Sequence, residues 1–275
     1  MSRMVDGHQA RKRFGQNFLH NPGIIQRIVN HFRLQAGEHV VEIGPGLGAL
    51  TLPILQAGCR LDLVELDRDL LANLESITAN YPDCAIHHSD ALKFDFASLA
   101  DGDNTPSLRV VGNLPYNIST PLLFHLFSFA SVIKDMHFML QKEVVDRMAA
   151  GPGSKTYGRL SVMTQYYCQV ENLMTIGPGA FKPAPKVDSA IVRLEPHAPE
   201  NQQAVDVTIL NKVVTSAFSQ RRKTLRNTWK GLLSTDDFDK LNIDGGERAE
   251  NLPLSDFVKV ANYYNNHKLD AAEQP

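Results

Sequence analysis

The chain has little cysteine. Its 275 residues include three, Cys59, Cys84 and Cys168, which are scattered and never form a CxxC pair. A disulfide framework or a cysteine-based zinc site is therefore excluded, and a reducing, cytoplasmic setting is the expectation. Long apolar runs are missing too: nothing approaches the ~20 residues that span a bilayer, so no membrane is expected. The N-terminal stretch "MSRMVDGHQARKRFGQNFLH" is basic but lacks the apolar core of a signal peptide. His87 and His88 have no cysteine or carboxylate at ligand spacing; they read as strand-end residues, and no metal is expected. Internal repeats and low-complexity segments are absent.

Neither sign of charge dominates, with 28 Lys and Arg against 30 Asp and Glu and a net charge of −2. The balance of the whole chain does not announce a polyanion partner, but the distribution does. Residues 211–230, "NKVVTSAFSQRRKTLRNTWK", hold Lys212, Arg221, Arg222, Lys223, Arg226 and Lys230 and no acid. Arg11, Lys12 and Arg13 make a second cluster. Solvated surface faces would account for either patch; two on a neutral protein also suit a directed contact with nucleic acid. The single tryptophan, Trp229, reads as a core anchor rather than a base-stacking platform.

The 43% hydrophobic and 21% charged residues belong to a globular chain. Short Val-, Ile- and Leu-rich runs alternate with helical patterns. Strands are predicted at 39–44, 60–66, 84–90, 108–113 and 135–140, with helices at 47–56, 69–79 and 119–130 between them. That alternation means βαβ units, hence a parallel sheet with helices on both faces. "CQVENLMTI" and "SAIVRLEP" could complete it as an antiparallel pair. After the polar, proline-containing "EPHAPENQQ" the pattern turns helical, around 206–219, 221–233, 236–240 and 255–265. The expected division is a catalytic domain over 1–201 and a small all-helical domain over 202–275.

"VVEIGPGLGAL" places Gly44, Gly46 and Gly48 directly after the first of these strands. The spacing GxGxG is not the dinucleotide fingerprint GxGxxG, and Pro45 removes an amide that a phosphate cradle would use. Such a loop suits a ligand with a nucleoside and amino-acid body, although a tight strand-to-helix turn alone would explain it. Glu65 ends the next strand, where a carboxylate can accept ribose hydroxyls. A nicotinamide enzyme would place an acid there as well. Asp90 ends the third strand, within reach of an adenine amino group. All three features fall at carboxyl ends of parallel strands, where open α/β sheets form their ligand crevice.

"NLPY", Asn113 to Tyr116, ends the fourth strand beside that crevice. An exocyclic adenine amine is a poor nucleophile because its lone pair is delocalised into the ring. The Asn113 side-chain oxygen and the Leu114 carbonyl can each accept from the amine, and Pro115 stiffens the turn that aims them. Tyr116 offers a ring on which a base can stack. No covalent step is needed; positioning and electrostatics carry the rate.

With these residues in place, a resemblance is visible. "GQNFL", "EIGPGLGALT", "VELD", "NLPYNIST", "YGRLSV" and "FKPAPKVDSAIVRL", in that order, resemble the small-subunit ribosomal RNA adenine dimethyltransferase family from about Gln16 through the C-terminal helices. The resemblance implies a Rossmann-like S-adenosylmethionine-dependent methyltransferase sheet with a helical C-terminal domain that contributes to rRNA binding. It implies dimethylation of two adjacent adenosines in the 3′-terminal hairpin of small-subunit (16S) rRNA, in an immature 30S particle, by a monomer. S-adenosyl-L-methionine would contact Asn17, Leu19, Gly44, Gly46, Glu65, Asp90 and Asn113. The target amine would meet Asn113, Leu114, Pro115 and Tyr116, with Phe181 on the other side of the base. Arg11, Lys12, Arg13, Arg221, Arg222, Lys223 and Arg226 would hold rRNA phosphates. Asn17 and Leu19 fall in a stretch that periodicity alone reads as a flexible lead-in. Alternatives are a resistance-type dimethyltransferase of large-subunit rRNA and a factor that mainly assembles the small subunit. A nicotinamide oxidoreductase would require GxGxxG and an acid/base residue near the crevice.

Overall fold

The computed structural model describes residues 4–5, 8–9, 16–100, 102, 106–115, 118–198, 203–204 and 206–272, with side chains from Gln16 to His267. Arg11, Lys12, Arg13 and Tyr116 lie outside the described residues. The chain forms two compact units, Met1–Val145 with Glu171–Pro196, and Asp146–Val170 with His197–Pro275. The helical unit thus gathers, besides the C-terminal region, a stretch that lies inside the 1–201 domain expected from sequence.

The first unit opens with β1 (Met4–Val5) and β2 (His8–Gln9), an antiparallel pair, then β3 (Phe18–Leu19) and α1 (Pro22–Phe32). α1 begins where Asn21 Oδ1 accepts from the Ile24 amide at 3.1 Å and Pro22 presets the first turn. The stretch that periodicity reads as a lead-in is therefore a strand followed by an amphipathic helix, whose Ile28 and Phe32 are buried. Next come β4 (His39–Ile43), α2 (Thr51–Gln56), β5 (Arg60–Glu65), α3 (Arg68–Thr78), β6 (Cys84–His88), β7 (Leu108–Asn113), α4 (Ser119–Phe127) and β8 (Ile133–Gln141). α2 starts four residues later than its apolar pattern suggests. Gly44, Gly46 and Gly48, all at positive φ, hold the chain out of right-handed helix until the loop is complete.

The chain continues through α5 (Lys142–Ala149), α6 (Arg159–Tyr167), β9 (Cys168–Ile176), β10 (Phe181–Lys182) and β11 (Ser189–Pro196). One seven-stranded sheet runs β6-β5-β4-β7-β8-β11-β9. β4 pairs parallel with β5 and β7, β5 with β6 and β7 with β8, while β11 runs antiparallel to β8. From β4 the chain builds outward to β6, then returns to place β7 on the other flank of β4. That reversal is the switch point beyond which open sheets bind ligands. All five residues of β4 are buried, as expected of a strand covered on both faces. Gly112 lets β7 close on β4: a Cβ there would lie 2.6 Å from the Ile43 carbonyl oxygen.

The amino ends of the same strands carry a buried charge cluster. Arg109 donates from Nε and Nη2 to both oxygens of Asp135 (3.0 and 2.8 Å), and from Nη1 to Glu38 at 2.6 Å. Its Nη2 also reaches the Phe32 carbonyl at 2.6 Å, fastening the end of α1 to the sheet. Burial would raise the Glu38 carboxyl, but hydrogen bonds from Lys134, the Gln35 amide and Arg109 outweigh it and lower the group to about 2.

The second unit is helical. α6 belongs to it, with α7 (Val207–Ala217), α8 (Leu225–Thr228), α9 (Thr235–Leu241) and α10 (Leu254–Ala272). Trp229 is fully buried, donates from Nε1 to the Val213 carbonyl at 3.0 Å and packs against Phe238 and Phe257. It is the core anchor expected. The helix expected over 221–233 is reduced to α8, because turns flank it and Gly231 takes a φ of +87°. Arg221, Arg222, Lys223 and Arg226 are exposed on this unit.

Removing Arg109 would strip the buried Asp135 of both its guanidinium bonds, leaving the His137 ring nitrogen 3.7 Å away. Arg109→Met is expected to destabilise the fold by about 3–5 kcal/mol, read as a lower urea midpoint. Because Glu38 titrates below its unfolded value of 4.5, its contribution is full above that pH and lost as pH falls toward about 2. Glu38→Gln should therefore narrow the stability gap between pH 7 and pH 3.

Candidate active site

The carboxyl ends of β4, β5, β6 and β7 surround a cavity of about 330 Å³. Asn17, Leu19, Gly44, Gly46, Glu65, Asp90, Asn113, Leu114 and Pro115 all line it. These residues come from separate stretches of chain, so the fold brings together what the sequence scatters.

Glu65 is 6% exposed and joins two loops. Its Oε1 accepts from the Asp67 amide at 2.7 Å and its Oε2 from the Gly46 amide at 3.3 Å. Burial raises its pKa against the pull of those amides, with the Asp67 charge raising it further. Gly46 has a φ of +62°, and a Cβ on it would press on the Phe18 ring at 3.2 Å. A side chain would therefore disturb both the turn and the cavity wall.

Asp90 lies at the mouth of the loop after β6, one carboxylate oxygen holding the Leu92 amide at 3.0 Å. Asn113 ends β7 and donates from Nδ2 to the Asn17 carbonyl at 3.0 Å. The Leu114 amide bonds to the Met139 carbonyl at 3.2 Å and the Ile118 amide to the Pro115 carbonyl at 3.2 Å, which fixes the turn from both ends. Phe181 is not on the cavity wall. It is 3% exposed, belongs to the core cluster that includes Leu19 and Ala180, and its backbone pairs with Leu19.

Gln16, Phe18 and Glu42 also line the cavity. None was singled out from the sequence. Gln16 Nε2 donates to Asp67 at 2.9 Å, which closes the N-terminal segment over the β5 loop. Glu42 carried a signal, an acid two residues before the first glycine of the loop. It is 2% exposed, accepts from Thr51 Oγ1 at 2.6 Å, and burial, reinforced by Glu65, pushes it up to about 7 despite that bond.

The wall is mostly apolar and its ionisable groups are Glu42, Glu65 and Asp90; no Lys or Arg appears among the described residues that line it. A pyrophosphate would meet carboxylates and no cation here, whereas a nucleoside carrying a positive sulfonium suits such a wall. The ribose hydroxyls would be accepted by Glu65, and the side chains of Leu66, Ala91 and Leu92 offer apolar surface to the base. Among the described residues no group of three or more His, Cys, Asp or Glu could hold a metal ion. No helix there is long and apolar enough to cross a membrane.

Sheet, switch point and acidic cavity define an S-adenosylmethionine-dependent methyltransferase. The family model described as ribosomal RNA adenine dimethylase matches residues 7–266. A curated relative, ribosomal RNA small subunit methyltransferase A of Pseudomonas fluorescens (strain Pf0-1), is 58% identical over 268 residues, which cover 98% of this chain and 95% of that protein. Among solved structures, a dimethyladenosine transferase from Plasmodium falciparum superposes with a TM-score of 0.79 at 26% identity, covering 91% of this chain and 98% of that one. The 23S rRNA methyltransferase ErmE gives 0.68 at 22% identity, covering 90% and 100%, a likeness of fold. The chain belongs to the ribosomal RNA adenine dimethylase family, and it is an S-adenosylmethionine-dependent rRNA adenine dimethyltransferase.

Glu42 generates a prediction of its own. A carboxyl raised to about 7 stabilises the fold fully below its unfolded value of 4.5, and that contribution is lost as pH rises through about 7. Thermal unfolding between pH 5 and 8.5 should show Glu42→Gln losing less stability than the unmodified chain between pH 5 and about 7, with the two running parallel above that.

Proposed function

We propose that the substrate is the small-subunit (16S) rRNA of an immature 30S particle and that the enzyme dimethylates two adjacent adenosines of its 3′-terminal hairpin. The reading is supported by the 58% identity to a relative named for the small subunit and by the motif order along the chain. A role in small-subunit biogenesis, in the cytoplasm and as a monomer, follows from the same reading. The observation that carries the site assignment is the opening of the Asn113–Pro115 turn onto the cavity that Glu65 closes.

S-adenosylmethionine supplies the methyl group on its sulfonium. Asn113 Oδ1 and the Leu114 carbonyl accept hydrogen bonds from the adenine amine, so that its lone pair faces the methyl group. The Asn113 amide is already committed to the Asn17 carbonyl, which leaves its oxygen as the end offered to the substrate. Pro115 keeps the two acceptors on one point. Tyr116 is the base platform. Extruding the base costs a few kcal/mol, less from a loop than from a duplex. Arg221, Arg222, Lys223 and Arg226, with Arg11, Lys12 and Arg13, bind RNA phosphates. Arg221 holds the Lys155 carbonyl at 2.6 Å and lies 3.7 Å from Glu250, so it enters that role pre-oriented.

Incubation with immature small subunits and labelled methyl donor should place label on two neighbouring adenosines of the small-subunit hairpin; label confined to large-subunit RNA would refute the assignment. Asn113→Ala should slow methyl transfer by more than about 10²-fold while the subunit still binds. Replacing Arg222 and Lys223 by Ala should lower the salt slope of RNA binding by about 2, one for each lost phosphate contact.

A further inference from the structure

Glu42 is a buried acid that the transfer, as built above, does not use. It lines the cavity with Glu65, but Glu65 is held by two backbone amides and Glu42 by none. Its one hydrogen-bond partner among the described residues is the Thr51 hydroxyl, at 2.6 Å. The elements around it withhold further compensation. β5 and β7 place Leu63 and Val111 opposite it, α3 buries Leu70 and Leu74, and neither α2 nor the glycine loop carries a charged residue. On β6 the Cys84 thiol feels the Glu42 charge; burial above all, with Asp62 and Glu42, pushes it up to about 11, so it stays neutral. The charges left to face Glu42 are carboxylates: Glu65, with Asp67 bonded to it, and Asp90 on the same wall.

Two buried carboxylates on one wall do not both ionise without a cation, and the one with fewer donors keeps its proton. Burial, reinforced by Glu65, leaves Glu42 titrating at about 7. A fixed positive charge in the cavity reverses that balance, because an opposite charge nearby favours the carboxylate. The methyl donor and its spent product differ, apart from the methyl group, in that charge alone: one carries a sulfonium, the other a neutral thioether.

We propose that Glu42 is a proton-linked discriminator between S-adenosylmethionine and S-adenosylhomocysteine, giving its proton to solvent when the sulfonium enters and taking one back when a thioether is left. The balance closes. The methyl group passes to the adenine nitrogen, the C–S electron pair stays on sulfur, and the positive charge departs as the proton of the methylated amine. Glu42 then faces a neutral ligand and is reprotonated from water. The attraction that held the donor is thereby withdrawn from the product, which must leave before each further methyl group is added. The inference rests on the cofactor assignment and holds whichever RNA is methylated.

Calorimetric titration of the full chain without RNA, in two buffers of different ionisation enthalpy, provides the test. Titration of the ligands' own groups is common to the unmodified chain and Glu42→Gln, so the difference between the chains isolates Glu42. At pH 6.5 that difference should be release of about 0.5–1 proton on binding S-adenosylmethionine and close to none on binding S-adenosylhomocysteine. The preference for donor over product should grow about 10-fold from pH 6 to pH 8 in the unmodified chain and stay within about 2-fold in Glu42→Gln. Difference infrared spectra should lose a protonated-carboxyl band with the donor and keep it with the product. Equal proton release in both chains would place the titration on Glu65 or the ligand and overturn the inference, as would a carboxyl band lost with both ligands. Thr51→Val gives a second test should Glu42→Gln fail to fold. It removes the bond that favours the carboxylate, so the pH profile should move upward, and an unmoved profile would equally refute the role.

Discussion

The Glu65 carboxylate is the point on which the active site turns. It sits at the end of β5, almost out of water, and takes the Gly46 amide with one oxygen and the Asp67 amide with the other. Two loops that leave neighbouring strands are thereby tied to a single side chain. Desolvating a carboxylate is costly unless donors replace its water; here burial and the neighbouring Asp67 charge raise its pKa against the backbone amides that hold it. A positively charged, hydroxyl-bearing ligand would oppose that rise. The other parts depend on this arrangement in sequence: Gly46, held by Glu65, has no Cβ to displace Phe18, and the Phe18 segment in turn presents the Asn17 carbonyl to Asn113.

Local pattern disclosed much of this. The strands that became β4, β5, β6, β7 and β8 are short apolar runs bounded by turn residues. Because parallel sheets put functional groups at their carboxyl ends, the spacing of Gly44, Glu65, Asp90 and Asn113 along the chain is enough to place them on one edge. What local pattern could not disclose was contact between distant segments. Residues 16–19 carry no strong periodicity; they are ordered by β10, far along the chain, and by Asp67. Phe181 resembles a base platform on motif grounds, while its burial depends on the packing of Leu19 and Ala180 around it. The placement of Asp146–Val170 in the helical unit is likewise a matter of tertiary packing, since most of those residues lie in sequence between β8 and β9 and the last three open β9 itself.

Charge is used differently at the two ends of the sheet. At the amino ends Arg109 neutralises Asp135 and Glu38 and fastens α1, so the cluster is closed on itself. At the carboxyl ends Glu42, Glu65 and Asp90 face a cavity with no cation among the described lining residues. Self-satisfied charge gives architecture; charge left facing a cavity selects a ligand. The same strands bear both, and β7 carries Arg109 near one end and Asn113 at the other.

The single tryptophan has a use outside folding. Trp229 is fully buried in the helical unit, hydrogen-bonded to Val213 and flanked by Phe238 and Phe257, while the sheet unit has no tryptophan at all. Indole emission therefore reports on one unit alone. Far-ultraviolet ellipticity, by contrast, sums the helices of both. The chain thus comes with a built-in optical label by which the cohesion of its two units can be read without introducing a dye or altering a residue.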